Sequence, residues 1–243
     1  MNLYPVVILA GGIATRLHPI TGRIPKALVE VGGKPFIAHQ LYLLKSHGVH
    51  SVIISTWFKD EMIHEFVGDG RHFELDVRYV FDGEIPLGTG GAIRKSIKHL
   101  DGPFFVLYGD SYLPCDYADI QAFFDNRAQP GLMTVHRNRG KWDTSNVEMV
   151  NGQILCYDKK KRTIRMKYID YGLGLFRPDV FAFLEEGQPA DLAEVYQKLV
   201  ADHSLLAYEL KQRFYEIGSF KGLHELDRLL TKDPNQFLKW KEK

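Results

Sequence analysis

The sequence predicts an α/β fold: a doubly wound, mostly parallel, Rossmann-like sheet followed by a β-rich part. Three observations carry this. β-branched apolar runs alternate with helix-period segments through the first 130 residues. Two of those runs stop at a glycine, at Gly11 and Gly109, as strands do when a loop must turn at their carboxyl ends. From about residue 131 onward, short strand-like runs separated by turn residues replace the alternation.

In chain order, Val6–Ala10 is a short β-branched run and reads as a buried strand. Pro35 to His47 carries Ile37, Leu41 and Leu44 at helical spacing. Ser51–Thr56 is a second strand, Asp60–Val67 a short helix and Leu75–Phe81 a third strand. Gly90 to Leu100 reads as a helix with Ile93, Ile97 and Leu100 on one face. Pro103–Tyr108 is a fourth strand ending at Gly109-Asp110, and Asp119–Asn126 is helical. In the second half, Leu132–Arg137, Asn146–Val150, Gln153–Tyr157 and Lys167–Phe176 read as strands, with Asn151-Gly152 as a hairpin turn. Helices are expected over 178–186, 191–201 and 220–231, strands over Leu205–Leu210 and Phe214–Ile217, and a polar tail over Phe237–Lys243. No repeat, low-complexity tract or linker interrupts the chain. We expect one domain over 1–243, an α/β part over 1–130 joined to a β-rich part with C-terminal helices over 131–243.

Composition narrows the function classes. The 243 residues hold 31 basic and 30 acidic side chains, a formal net charge of +1, which gives no electrostatic case for nucleic acid or membrane binding. Cys115 and Cys156 are too few for a disulfide framework, lie beside apolar residues and read as buried small hydrophobes. No Cys/His spacing suggests zinc, and no signal peptide or membrane span is visible, so a reduced, cytoplasmic setting is the default.

The chemistry concentrates in residues 6–26, VVILAGGIATRLHPITGRIPK. Gly11 and Gly12 let main-chain N–H groups approach an anion, beside Ala10. Thr15 and Arg16 follow, and Lys26 closes the stretch: Arg pairs phosphate oxygens in a fork, and Lys acts as a point charge. The stretch matches neither the G-x-G-x-x-G dinucleotide fingerprint nor the P-loop. Its full spacing, AGG-I-A-T-R-L-x-P-x-T…P-K, resembles the signature of the sugar-1-phosphate nucleotidylyltransferases, and the resemblance runs over nearly the whole chain. Ala14 stands where that family usually has Gly.

The resemblance implies a nucleotidyltransferase fold and the reaction NTP + sugar 1-phosphate ⇌ NDP-sugar + pyrophosphate. It implies Arg16, Lys26 and Asp110 as catalytic residues, and Ala10, Gly11, Gly12, Thr15, Gly88 and Thr89 as nucleotide-binding ones. Asp110, in LYGDSY, and Glu216, in FYEIGS, stand at the positions of two Mg2+ ligands; the family has W-x-D-x-G-T at the second place, so Glu216 replaces Asp and Phe214 replaces Trp. Asn146, Asp158, Lys159, Tyr171 and Gly172 match its sugar-side segments. LGTGGA looks most like the branch that activates heptose- or mannose-type sugars with GTP, which implies a role in lipopolysaccharide or capsule synthesis. Substrates are thus an NTP and a sugar 1-phosphate, the cofactor is Mg2+, and a homo-oligomer is compatible with the family. The sequence ends soon after FYEIGS, so we expect no C-terminal β-helix and no feedback control through one.

Other readings share or lack this chemistry. A UTP-dependent sugar-1-phosphate uridylyltransferase differs only in base. A phosphocholine cytidylyltransferase needs an aromatic cage, which Trp57, Trp142 and the many Tyr residues do not exclude. A metal-dependent glycosyltransferase wants Asp-x-Asp, where this chain has Asp110-Ser111-Tyr112. A non-catalytic nucleotide-sensing subunit draws support from Ala14 and Glu216 alone.

Overall fold

The computed structural model describes residues 2–12, 17, 22, 24–142 and 144–238. Its strands are β1 (Val6–Leu9), β2 (Glu30–Val31), β3 (Lys34–Pro35), β4 (Ser51–Thr56), β5 (Asp76–Phe81), β6 (Phe104–Tyr108), β7 (Ser111–Tyr112), β8 (Gly131–Arg137), β9 (Val147–Val150), β10 (Gln153–Tyr157), β11 (Tyr168–Phe176), β12 (Leu205–Glu209) and β13 (Tyr215–Glu216). The α-helices are α1 (Phe36–Ser46), α2 (Asp60–Val67), α3 (Gly88–Ser96), α4 (Tyr117–Asp125), α5 (Leu192–Ala201) and α6 (Phe220–Lys232).

A nine-stranded sheet runs through both halves in the order β5-β4-β1-β6-β11-β8-β12-β10-β9. The four strands of the first half pair in parallel, as the βαβ alternation predicts. At β11 the pairing turns antiparallel, to β6 on one side and β8 on the other. Only β8–β12 is parallel beyond it, so the whole sheet is mixed. The second half is built partly from direct strand-to-strand returns: Asn151 (φ 51°) and Gly152 (φ 77°) make the tight turn between antiparallel β9 and β10.

Both faces of the sheet are covered, because alternate strand residues point to opposite sides. Val6 and Ile8 enter a core with Leu41 and Leu44 of α1, Ile63 of α2 and Phe124 of α4. Val7, between them, enters a second core with Ile93 of α3 and Val195 and Tyr196 of α5. A third cluster seats Leu223, Leu226 and Leu230 of α6 against Val31, Phe36 and Tyr112. That cluster locks the late helix onto the early loop region and brings β13 beside β7, with Glu216 opposite Ser111.

Three expectations change. The helix expected over 178–186 is a 3-10 turn, Pro178–Phe181. The Leu184 carbonyl is taken by Arg94 Nε at 3.2 Å, and Gly187 leaves helical space at φ +79°. The helix from Gly90 begins at Gly88 and tightens to 3-10 geometry over Ile97–His99. Of the two cysteines, Cys115 is buried as expected but Cys156 is half-exposed.

Leu226 is fully buried in the α6 cluster. Leu226→Ala is expected to cost about 2–5 kcal/mol, read as a lower urea midpoint; an unchanged midpoint would contradict α6 being core.

Candidate active site

Two cavities meet at the carboxyl end of β6. The first, about 430 Å3, lies at the carboxyl ends of the parallel strands, between the 10–12 loop and the start of α3. Ala10, Gly11, Gly12, Lys26, Gly88 and Thr89 line it. The glycines at the start of α3 also pack closely against the chain itself. A Cβ on Gly88 would stand 2.7 Å from the Ala190 carbonyl oxygen, and one on Gly91 2.5 Å from that of Gln188. Thr89 Oγ1 donates to Asp191 Oδ1 at 3.1 Å and accepts from Leu192 N at 2.8 Å, tying α3 to the start of α5.

Asp82, just past β5, also lines this cavity and is only 8% exposed. Its Oδ2 accepts from Leu87 N at 2.9 Å, while Oδ1 has no hydrogen-bond partner. Burial raises its pKa, opposed by the Leu87 N–H, Lys95 and Ser55.

The second cavity, about 440 Å3, opens on the antiparallel side between β11, β13 and α6. Asn146, Lys159, Gly172 and Glu216 line it. Asn146 Oδ1 accepts from Asp170 N at 2.9 Å, fixing β11 where its register with β8 shifts between Asp170 and Gly174. Asp170 lies at the cavity wall, taking hydrogen bonds from Tyr157 (3.2 Å), Tyr108 (3.4 Å) and Gly172 N (3.0 Å). Desolvation raises its pKa, opposed chiefly by Lys159.

Tyr108 and Asp110 line both cavities. Gln40 of α1 is buried and donates to the carbonyls of Tyr108 (3.2 Å) and Ser111 (2.8 Å), holding this turn from beneath. Lys26 Nζ donates to Asp110 Oδ2 at 2.6 Å. Glu216 is fastened through Ser219, whose N–H and hydroxyl donate to its two oxygens at 2.9 and 2.5 Å. A Cβ on Gly218 would lie 2.9 Å from Glu216 Oε2, 3.1 Å from Asp110 Oδ2 and 3.2 Å from Lys26 Nζ. Two carboxylates thus converge on a space that only glycine leaves open. A pair of carboxylates, completed by water and phosphate oxygens, is a donor set of the kind that Mg2+ takes. No group of three or more His, Cys, Asp or Glu able to hold a metal occurs among the described residues.

Thr15 and Arg16 lie outside the described residues, as does Ala14. Of the others, Asp158 departs from its expected place and Tyr171 reaches it only at its edge. Asp158 does not line the second cavity; its Oδ1 accepts from Lys160 N (2.7 Å) and Lys161 N (2.8 Å), a turn cap whose two N–H bonds lower its pKa. Tyr171 touches the cavity but is 1% exposed, packed edge-on against Phe214 with ring centroids 5.7 Å apart. Asp82, Asp170 and Arg213 escape the motif reading. A lone carboxylate within the apolar strand YIDYGLGLF was a signal for Asp170; Asp82 and Arg213 had none beyond their charge.

The fold matches solved nucleotidyltransferase structures. The inositol-1-phosphate CTP transferase of T. maritima superposes with a TM-score of 0.81 at 19% identity, over 97% of this chain and 98% of that one. HddC from Yersinia pseudotuberculosis complexed with GMP-PN gives 0.76 at 22%, over 94% and 100%. The nucleotidyl transferase family model matches residues 5–233, and the chain belongs to that family. In sequence it is 27% identical over 239 residues to the mannose-1-phosphate guanylyltransferase catalytic subunit beta of Dictyostelium discoideum, covering 94% of this chain and 66% of the relative. It is 29% identical over 223 residues to the mannose-1-phosphate guanyltransferase of Schizosaccharomyces pombe, covering 88% and 61%. The chain therefore spans just under two thirds of the length of these curated relatives. No helix among the described residues is long and apolar enough to cross a membrane.

Because burial raises the Asp82 pKa, its ionised form costs stability once pH exceeds that folded-state value. Asp82→Asn is expected to raise Tm at about pH 7 and to lose that gain on acidification, with none left below the unfolded carboxylate pKa of about 3.9. Thermal melts across that range check the sign.

Proposed function

We propose that this protein transfers a nucleotidyl group from an NTP to a sugar 1-phosphate, releasing pyrophosphate. The observation that carries the reading is the position of Asp110 and Lys26 where two cavities of similar size meet. One cavity then takes the nucleotide and the other the sugar, with both phosphates at the junction. A sugar-phosphate oxygen attacks the α-phosphorus in line; the new P–O bond forms as the bond to the β-phosphate's bridging oxygen breaks, and pyrophosphate carries away that electron pair. The attacking oxygen is already ionised, so no general base is needed, and catalysis is positioning and charge neutralisation.

Lys26, at the junction, offsets the repulsion between the two incoming anions. Arg16 is assigned to the pyrophosphate side through the family motif. Asp110 and Glu216 would hold Mg2+, which when bound supplies further positive charge to the phosphates. Asn146, Lys159 and Gly172 face the sugar, and Asp170 accepts from its hydroxyls.

GTP is the favoured nucleotide. Guanine alone presents two adjacent donors, N1–H and N2–H2, and Asp82 sets a carboxylate, an acceptor for such donors, in the wall of the first cavity. Relatives named mannose-1-phosphate guanylyltransferase support that base and a mannose-type sugar. Against a choline cage at Trp142, the Arg213 guanidinium already lies 3.5 Å from the Trp142 ring centre and 4.8 Å from that of Tyr215.

The test is pyrophosphate release with Mg2+ across five NTPs and a panel of sugar 1-phosphates plus phosphocholine. GTP with a mannose- or heptose-type 1-phosphate is the expected pair; another base overturns the Asp82 argument, and silence with every pair overturns the activity. Arg16→Ala and Asp110→Ala should each lower kcat by about 10²–10³-fold. Asp82→Asn should lower kcat/KM for GTP by about 10–100-fold, with smaller changes for the other nucleotides.

A further inference from the structure

A third cavity, about 460 Å3, adjoins the sugar-side cavity, with Trp142 and Arg213 in the lining of both. It sits at the carboxyl ends of β8 and β12, the one parallel pair in the second half of the sheet. Open parallel strands place ligand crevices at that end. Its walls carry Arg137, Arg139, Lys141 and Lys211, all exposed, against a single carboxylate, Glu209. None of the four cations makes an ion pair among the described residues. In a chain of net charge +1, this is a concentrated local excess.

The groove is preorganised. Asn138, 1% exposed, accepts from Trp142 N at 3.1 Å and donates to Ser145 Oγ at 3.1 Å, so the loop bearing Arg139 and Lys141 is tied to a buried anchor. Leu210 N donates to Val135 O at 2.8 Å and closes the floor. Trp142 and Arg213 line this groove and the sugar-side cavity alike. Arg213 stacks on Trp142, makes a two-pronged ion pair with Glu225, and leaves its buried Nε without a partner. The stack is a wall shared by the two cavities.

We propose that this groove is a second anion site, taking a small ligand with two or more linked phosphates, and that its occupancy alters acceptor binding through the Trp142–Arg213 wall. One phosphate would leave much of a four-cation crevice uncompensated, whereas a di- or triphosphate can span it. An anion there competes with Glu225 for Arg213 and so loosens the wall of the sugar-side cavity. The coupling rests on the acceptor reading given above; the anion site does not.

The probe is inorganic tripolyphosphate, titrated calorimetrically into the full chain without Mg2+. Two sites are expected in the wild type. The exposed pair Arg137→Ala/Lys211→Ala should lose one, with at least about tenfold weaker binding there, and keep the one that Lys26→Ala removes. Retention of both sites by the double variant, or a single site in the wild type, overturns the anion site. In Lys26→Ala, competition by pyrophosphate points to an inorganic ligand and competition by GDP alone to a nucleotide; competition by neither overturns the ligand class. At constant free Mg2+, tripolyphosphate should change the sugar 1-phosphate KM in the wild type more than in the double variant. Equal changes overturn the coupling, and absence of turnover with every sugar 1-phosphate overturns the acceptor reading while leaving the site count standing.

Discussion

The structure depends on how β6 ends. Its strand belongs to the parallel half on one edge and to the antiparallel half on the other, so the turn after it faces both cavities. Gln40, buried on α1, spends both amide hydrogens on the carbonyls of Tyr108 and Ser111. A buried carbonyl without a donor costs free energy, so this clamp is the condition for the turn to exist where it does. Asp110 projects from that turn, and Lys26 and Glu216 are placed relative to it.

Packing far from the site sets those placements. The α6 cluster of Leu223, Leu226 and Leu230 pins the helix whose N-cap, Ser219, orients Glu216. The same helix carries Glu225, the partner of Arg213. One amphipathic helix therefore positions the carboxylate of Glu216 near Asp110 and a wall of the second cavity. The Glu216 side chain folds back onto Ser219 and faces the space beside Gly218.

Much of this was legible in the residues. The parallel half follows from β-branched runs alternating with helical spacing, and the order of its elements agrees closely with the structure. Lys26, Asp110 and Glu216, far apart in sequence, were identified through motif resemblance and do come together. Asp158 was misplaced because an acidic-basic run looks the same whether it faces a ligand or caps its own turn. Tyr171 was ambiguous because an aromatic beside a glycine can line a cavity or fill a core, and here it does mostly the second.

Sequence alone determined the class of fold, the strand ends that carry the chemistry and the residue types able to handle phosphate, because these rest on local periodicity and contiguous spacing. Tertiary structure decided what depends on distant partners. It turned the sheet antiparallel at β11, buried Asp82 with one oxygen unsatisfied, and spent the glycines of LGTGGA on the 188–191 backbone. It also gathered Arg137, Arg139, Lys141 and Lys211 around one groove. Burial and convergence are properties of packing, and no local pattern in the chain encodes which residues will share a cavity.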